Sequence, residues 1–145
     1  MSFFSSMNVS ATGLTAQRLR MDVISQNIAN VNTTKTKNGG PYKRKVLLFE
    51  EQKGNEFQNM LDNSLESYAS SGVKISKIIE DTKPLKKIYD PSHPEADKSG
   101  YVLLPNVDTV EEMVNMISAN RSYEANVTAL NAAKSMAMKA LEIGK

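Results

Sequence analysis

The sequence predicts an α+β fold: long helices at both ends, packed as a coiled-coil hairpin, around a small β-rich middle domain. Three observations lead there. All five prolines lie between Pro41 and Pro105, so both ends lack the residue that most strongly breaks a helix. Both ends place apolar residues at alternating steps of three and four. The centre holds short runs of β-branched and aromatic residues bounded by turn formers.

In the first helix, expected over 5–32, Met7, Leu14, Met21 and Ile28 recur every seven residues, with Ala11, Ile24 and Val31 between them. Ser5 or Ser6 is a suitable N-cap. Gly13 weakens this helix by about 1 kcal/mol relative to alanine. It is either a tolerated interior glycine or a point of close approach for a neighbouring helix. The helix is expected to end around Asn30 to Thr34, where asparagine and threonine side chains bond their own backbone instead.

Asn38-Gly39-Gly40-Pro41 is the strongest turn signal in the chain. Tyr42 to Glu50 follows as a strand, basic at its start and apolar through Val46, Leu47, Leu48 and Phe49. The cluster Lys43-Arg44-Lys45 reads as a solvated strand edge, kept from pairing by its charge. A nucleic-acid surface would want more stacking aromatics than the nearby Tyr42 and Phe49. Residues 51–71 are polar, with Phe57, Met60, Leu61, Leu65 and Tyr68 on one helical face, and read as a short helix or a loop.

Val73 to Asp81 alternates as a strand, then slips phase at Ile78-Ile79, which suggests a bulge or a strand end. Pro84 to Tyr89 and Tyr101 to Leu104 are two further strands, separated by the loop Asp90-Pro91-Ser92-His93-Pro94. Asn106 to Thr109 supplies caps for the second helix, expected over 108–143, and Glu111 and Glu112 suit its N-terminal dipole. Its stripe is Met113, Met116, Tyr123, Val127, Leu130, Ala137 and Leu141, with Ile117 beside it. The chain thus divides into an N-terminal helix (1–34), a middle domain (35–106) and a C-terminal helix (107–145). At 1.5 Å per residue the helices would measure about 42 Å and about 54 Å, too long to fold easily into a sphere.

Net charge is +2, from 18 basic and 16 acidic residues, so no global field points to nucleic acid or anionic lipid. Residues 1–32 hold only Arg18, Arg20 and Asp22 as charged groups, which suits ends that become covered and a centre that stays wet. Without cysteine there is no disulfide framework or thiolate metal site. The N-terminus lacks the basic and continuous apolar regions of a cleaved leader, and no stretch approaches the ~18 apolar residues of a membrane span.

Enzyme chemistry finds no foothold. His93 sits in a proline-marked loop without an orienting partner. Asp90, Glu95 and Asp97 around it lack the glycine and the distal glutamate of a calcium loop. No phosphate cradle, nucleophile elbow or zinc motif is present. No cofactor, metal or catalytic residue is expected. The methionines Met113, Met116, Met136 and Met138 read as adaptable packing.

Three segments carry a resemblance. The first includes Asn27-Ile28-Ala29-Asn30 and Thr33. The second runs from Asp90, Pro91 and Pro94 to Gly100, Tyr101 and Val102, then Pro105, Asn106 and Val107. The third contains Asn120, Arg121, Tyr123 and Asn126. Together they resemble the axial rod and hook proteins of the bacterial flagellum. The first motif belongs to the whole superfamily, whereas the other two are more similar to its proximal-rod branch. Residues 51–71 match no motif of that family.

The resemblance implies a structural subunit whose terminal helices form the inner coiled-coil layer of a hollow, torque-transmitting rod. It implies export through the flagellar type III apparatus without a cleaved leader, and assembly across the periplasm. The implied neighbours are other proximal and distal rod proteins, the membrane ring and its adaptor. Met7, Leu14, Met21, Ile28, Met113, Met116, Ile117, Tyr123, Val127, Leu130 and Leu141 would pack between subunits, and Asn27, Asn30, Asn120 and Asn126 would fix register. The rival readings are a distal-rod or hook subunit, and a cytosolic helical adaptor or export chaperone. The second rival leaves the strand-rich, proline-marked middle unexplained.

Overall fold

The computed structural model describes residues 3–37, 39–52 and 72–143. The order of elements is α1 (Phe3–Ala29), β1 (Lys45–Gln52), β2 (Gly72–Glu80), β3 (Lys86–Tyr89), β4 (Tyr101–Leu104) and α2 (Thr109–Ile143). Two long terminal helices and a small middle of two sheets make this an α+β fold. None of the described helices is long and apolar enough to cross a membrane.

α1 stops three residues short of the expected end. Asn30 explains this, because its side-chain amide donates to the Gln26 carbonyl at 2.8 Å while its backbone N–H is shared between Gln26 and Asn27. The Thr33 hydroxyl then donates to Asn30 Oδ1, and the chain turns out of the helix. α2 begins where Asp108 caps it: Oδ1 accepts from the Val110 and Glu111 N–H groups at 2.9 and 3.2 Å. Those two bonds hold the Asp108 carboxyl below the ordinary aspartate value.

The helices run antiparallel in a fixed register. Asn27 bonds Glu112 at one end, and Gly13 faces Asn126 further along, fourteen residues away on each helix. The buried positions are small on α2, Ala119 and Ala133, and mixed on α1, Ala16, Val23 and Ile24. Small residues let the two backbones approach closely, and Gly13 is one of those points of approach.

Two separate two-stranded ribbons complete the fold. In the first, β1 pairs antiparallel with β2 from Lys45 opposite Glu80 to Gln52 opposite Gly72. The register shifts between Leu48 and Phe49, which leaves Ser76 without a counterpart, two residues before the slip expected at Ile78. This ribbon lies along α1, because Thr12 Oγ1 accepts from the Val73 N–H and Asn27 Oδ1 from the Lys45 N–H. The second ribbon pairs β3 with β4, from Lys86 opposite Leu104 to Tyr89 opposite Tyr101. Gly100, at φ +77°, turns the chain into β4, and the Tyr89 and Tyr101 rings meet edge to face at 5.3 Å. Residues 51 and 52 of the expected polar segment end β1, and the rest of that segment lies outside the described residues.

Candidate assembly interface and the junction behind it

Tyr42 to Arg44 were expected to open a strand. Instead they enter a polar junction that ties both helices to both ribbons. Asn27, only 1% exposed, uses its full bonding capacity there. Its Oδ1 accepts from the Lys45 N–H and the Tyr42 hydroxyl, each at 2.9 Å. Its Nδ2 donates to the Lys45 carbonyl and to Glu112 Oε2, again at 2.9 Å.

Arg44 overturns the reading of a solvated basic edge, for only 15% of its side chain is exposed. Nε and Nη2 donate to Glu112 Oε1 at 2.9 and 2.6 Å, and Nη1 donates to Asp81 Oδ2 at 3.2 Å. Burial on its own would lower the Arg44 pKa, but hydrogen bonds to Glu112 and Asp81 and the charges of Glu112 and Glu111 outweigh it and raise the value. Asp81 is held below its ordinary value by the Lys83 N–H and, against the opposing effect of burial, by Arg44. Tyr42 is pushed up by burial first, then by the nearby charges of Glu112 and Glu80.

Asn106 closes the junction from the other side. Its Oδ1 accepts from the Arg44 N–H at 2.8 Å, and its Nδ2 donates to the Lys83 carbonyl at 3.0 Å. Lys86 donates to the Val107 carbonyl at 2.9 Å, which fixes the second ribbon to the turn before α2. A buried ion pair of this kind stabilises little by itself, but removing one partner strands the other charge. The junction therefore specifies an arrangement more than it adds stability.

The residues expected to pack between subunits are placed unevenly. Met7, Leu14, Met21 and Ile28 are half-buried on α1, as are Met116, Tyr123, Val127 and Leu130 on α2. Met113, Ile117 and Leu141 are 49%, 56% and 74% exposed. Val110 and Val114 extend that exposed apolar strip on the first turns of α2. A strip at i, i+3, i+4 and i+7 is the pattern that seats a further helix.

The flagellar family is reached through comparison. Residues 7–35 match the family described as flagella basal body rod protein, and residues 98–143 match the flagellar basal body rod FlgEFG protein C-terminal family. The flagellar basal-body rod protein FlgC of Bacillus subtilis is 52% identical over 151 aligned positions, covering the whole of both chains. The chain belongs to the FlgC family of flagellar basal-body rod proteins. FlgC of Borreliella burgdorferi is also 52% identical, over 99% of this chain and 98% of its own. FlgC of Salmonella typhimurium is 37% identical over the full length of both. As a FlgC-family member, the chain is a structural subunit of the basal-body rod.

The motif residues that carried the resemblance fall into four settings. Val102 is buried in β4, Pro105, Asn106 and Val107 are buried in the turn before α2, and Asn27 is buried in the junction. Asp90 accepts from the Ser92 N–H and hydroxyl, a local turn near Pro91 and Pro94, while Gly100 takes its left-handed backbone beside Tyr101. Ala29, Asn120 and Arg121 are exposed, with Asn120 bonded to Glu124 on its own helix. Ile28, Thr33, Tyr123 and Asn126 are half-buried, and Asn126 bonds the Ser122 carbonyl.

Sequence reasoning missed the roles of Arg44, Glu112, Asp81 and Tyr42. One signal was available. Glu112 opens a seven-residue row that continues through Ala119, Asn126 and Ala133, so its place is on the packed face of α2 rather than only at a helix dipole. Among the described residues no group of histidine and acidic side chains is placed to hold a metal ion.

Proposed function

We propose that this chain assembles into the proximal part of the flagellar rod as a non-enzymatic subunit of the drive shaft. End-to-end identity of 52% to two FlgC proteins carries the reading. In this reading 1–34 and 107–145 are the axial helices and 35–106 the outer domain. Met7, Leu14, Met21 and Ile28 meet neighbouring helices, as do Met113, Met116, Ile117, Tyr123, Val127, Leu130 and Leu141. The exposed apolar strip at the start of α2 supports this, since isolated solvent exposure of so many large residues in one row is unusual for a lone monomer.

The partners are other proximal and distal rod proteins, the membrane ring with its adaptor, and the flagellar type III export apparatus. The subunit leaves the cytoplasm through that apparatus and forms part of a rod that spans the periplasm. Neither nucleic acid nor membrane insertion enters its work. Deletion of the gene tests this. Motility is lost, basal bodies stop at the membrane ring, and plasmid-borne wild-type chain restores both; motile cells with complete rods would overturn it.

A further inference from the structure

Above the junction, the space between α1, β1 and the first turns of α2 is an open groove of about 440 Å³. Val23, Ile24 and Leu47 form its floor, and Phe49 stands at its rim with 42% of its surface exposed. The lining also carries charge of both signs, with Arg20 and Lys45 against Glu111. An apolar floor between opposite charges suits an amphipathic helix better than a small polar ligand.

The same chain carries a segment of matching description. In the last turns of α2, Met138 and Leu141 lie at i and i+3 and are 55% and 74% exposed. They are flanked by Lys139 and Glu142, which pair with each other at 2.7 Å but remain largely in solvent. Such an exposed pair holds its partners weakly and exchanges them readily. The groove sits at the junction end of the hairpin, whereas Met138 and Leu141 lie beyond the Gly13–Asn126 contact at the other end. One chain therefore cannot bring its own two surfaces together.

We propose that the groove over Val23, Ile24 and Leu47 receives the last turns of α2 from a second copy of this chain. Met138 and Leu141 rest on the apolar floor, Lys139 faces Glu111, and Glu142 faces Arg20 and Lys45. The contact joins two different surfaces, so its repetition builds a helical array and not a closed pair. It rests on the rod reading and adds which faces of adjacent copies meet.

The chain has no cysteine, which makes the test direct. Chains carrying Phe49→Cys and Leu141→Cys are co-expressed, and purified basal bodies are oxidised. A disulfide-linked dimer is expected only when both chains are present. Leu141→Asp, at an exposed position, leaves the circular dichroism spectrum unchanged and lowers recovery in basal bodies at least about tenfold. Recovery of Leu141→Asp at the wild-type level overturns the proposal, and so does absence of the dimer from basal bodies that hold both cysteine chains. Absence of the unsubstituted chain from basal bodies overturns the rod reading itself.

Discussion

Gly13 of α1 and Asn126 of α2 face each other so closely that a methyl group on Gly13 would stand 3.0 Å from Asn126 Oδ1. Interior glycine costs a helix about 1 kcal/mol relative to alanine, and here the closeness of the partner helix accounts for it. Gly13→Val places two more carbons into that gap. The expected cost is about 1–3 kcal/mol, the usual penalty of overpacking. Asn126→Ala in the same chain recovers at least half of it. Urea denaturation of the four chains of this cycle measures the coupling.

Arg44 and Glu112 depend on each other more than either depends on solvent. Arg44→Met leaves the Glu112 carboxylate in the interior without its guanidinium and costs about 3–5 kcal/mol. Arg44→Met together with Glu112→Leu costs less than Arg44→Met alone, because no buried charge is left behind. Chemical denaturation midpoints decide the order. A double variant less stable than the single would contradict it.

Acid weakens the fold in a direction set by Asp81 and Asp108. Both have folded pKa values below the ordinary aspartate value, so each contributes stability that is fully present above about pH 4. That contribution fades as pH falls through the lowered folded values, where the folded form too takes up the proton. Asp81→Asn removes one of the lowered carboxyls, which include Asp90 as well, and flattens the acid limb of a thermal-stability profile. An unchanged slope below pH 4 would rule out this role for Asp81.

Gly100 combines a left-handed backbone, φ +77°, with a ring edge: a methyl group there would lie 2.9 Å from Tyr89 Cε2. Gly100→Ala strains the turn and displaces the tyrosine pair. The expected loss exceeds about 1 kcal/mol. Near-ultraviolet circular dichroism, which reports the packing of Tyr89 on Tyr101, falls with it.

Much of this fold is legible in the sequence because its signals are local. The alternating apolar steps gave both helices, and Asn38-Gly39-Gly40-Pro41 marked a turn in which Gly39 and Gly40 indeed take φ of +79° and +74°. Tyr101 to Leu104 matched β4 to the residue. The junction was hidden because its contacts are remote in the chain: Arg44 and Glu112 lie 68 positions apart, and Asn27 and Glu112 lie 85 apart. A run of Lys43-Arg44-Lys45 looks uniform as text. Only the fold separates Arg44, turned inward, from Lys43, which pairs with Glu80 in solvent. Exposure of Met113 and Ile117 was equally invisible, since a three-and-four spacing defines a stripe but not the partner it faces.

The two ribbons share no backbone ladder. They meet instead at the junction end, where Asn106, two residues beyond β4, accepts from the Arg44 N–H, one residue before β1. Length changes at the opposite end of the second ribbon, beyond Tyr89 and Tyr101, therefore fall away from that link. An epitope inserted after Ser92 would ride on the β3–β4 hairpin alone, giving a visible handle that leaves the β1–β2 pairing undisturbed.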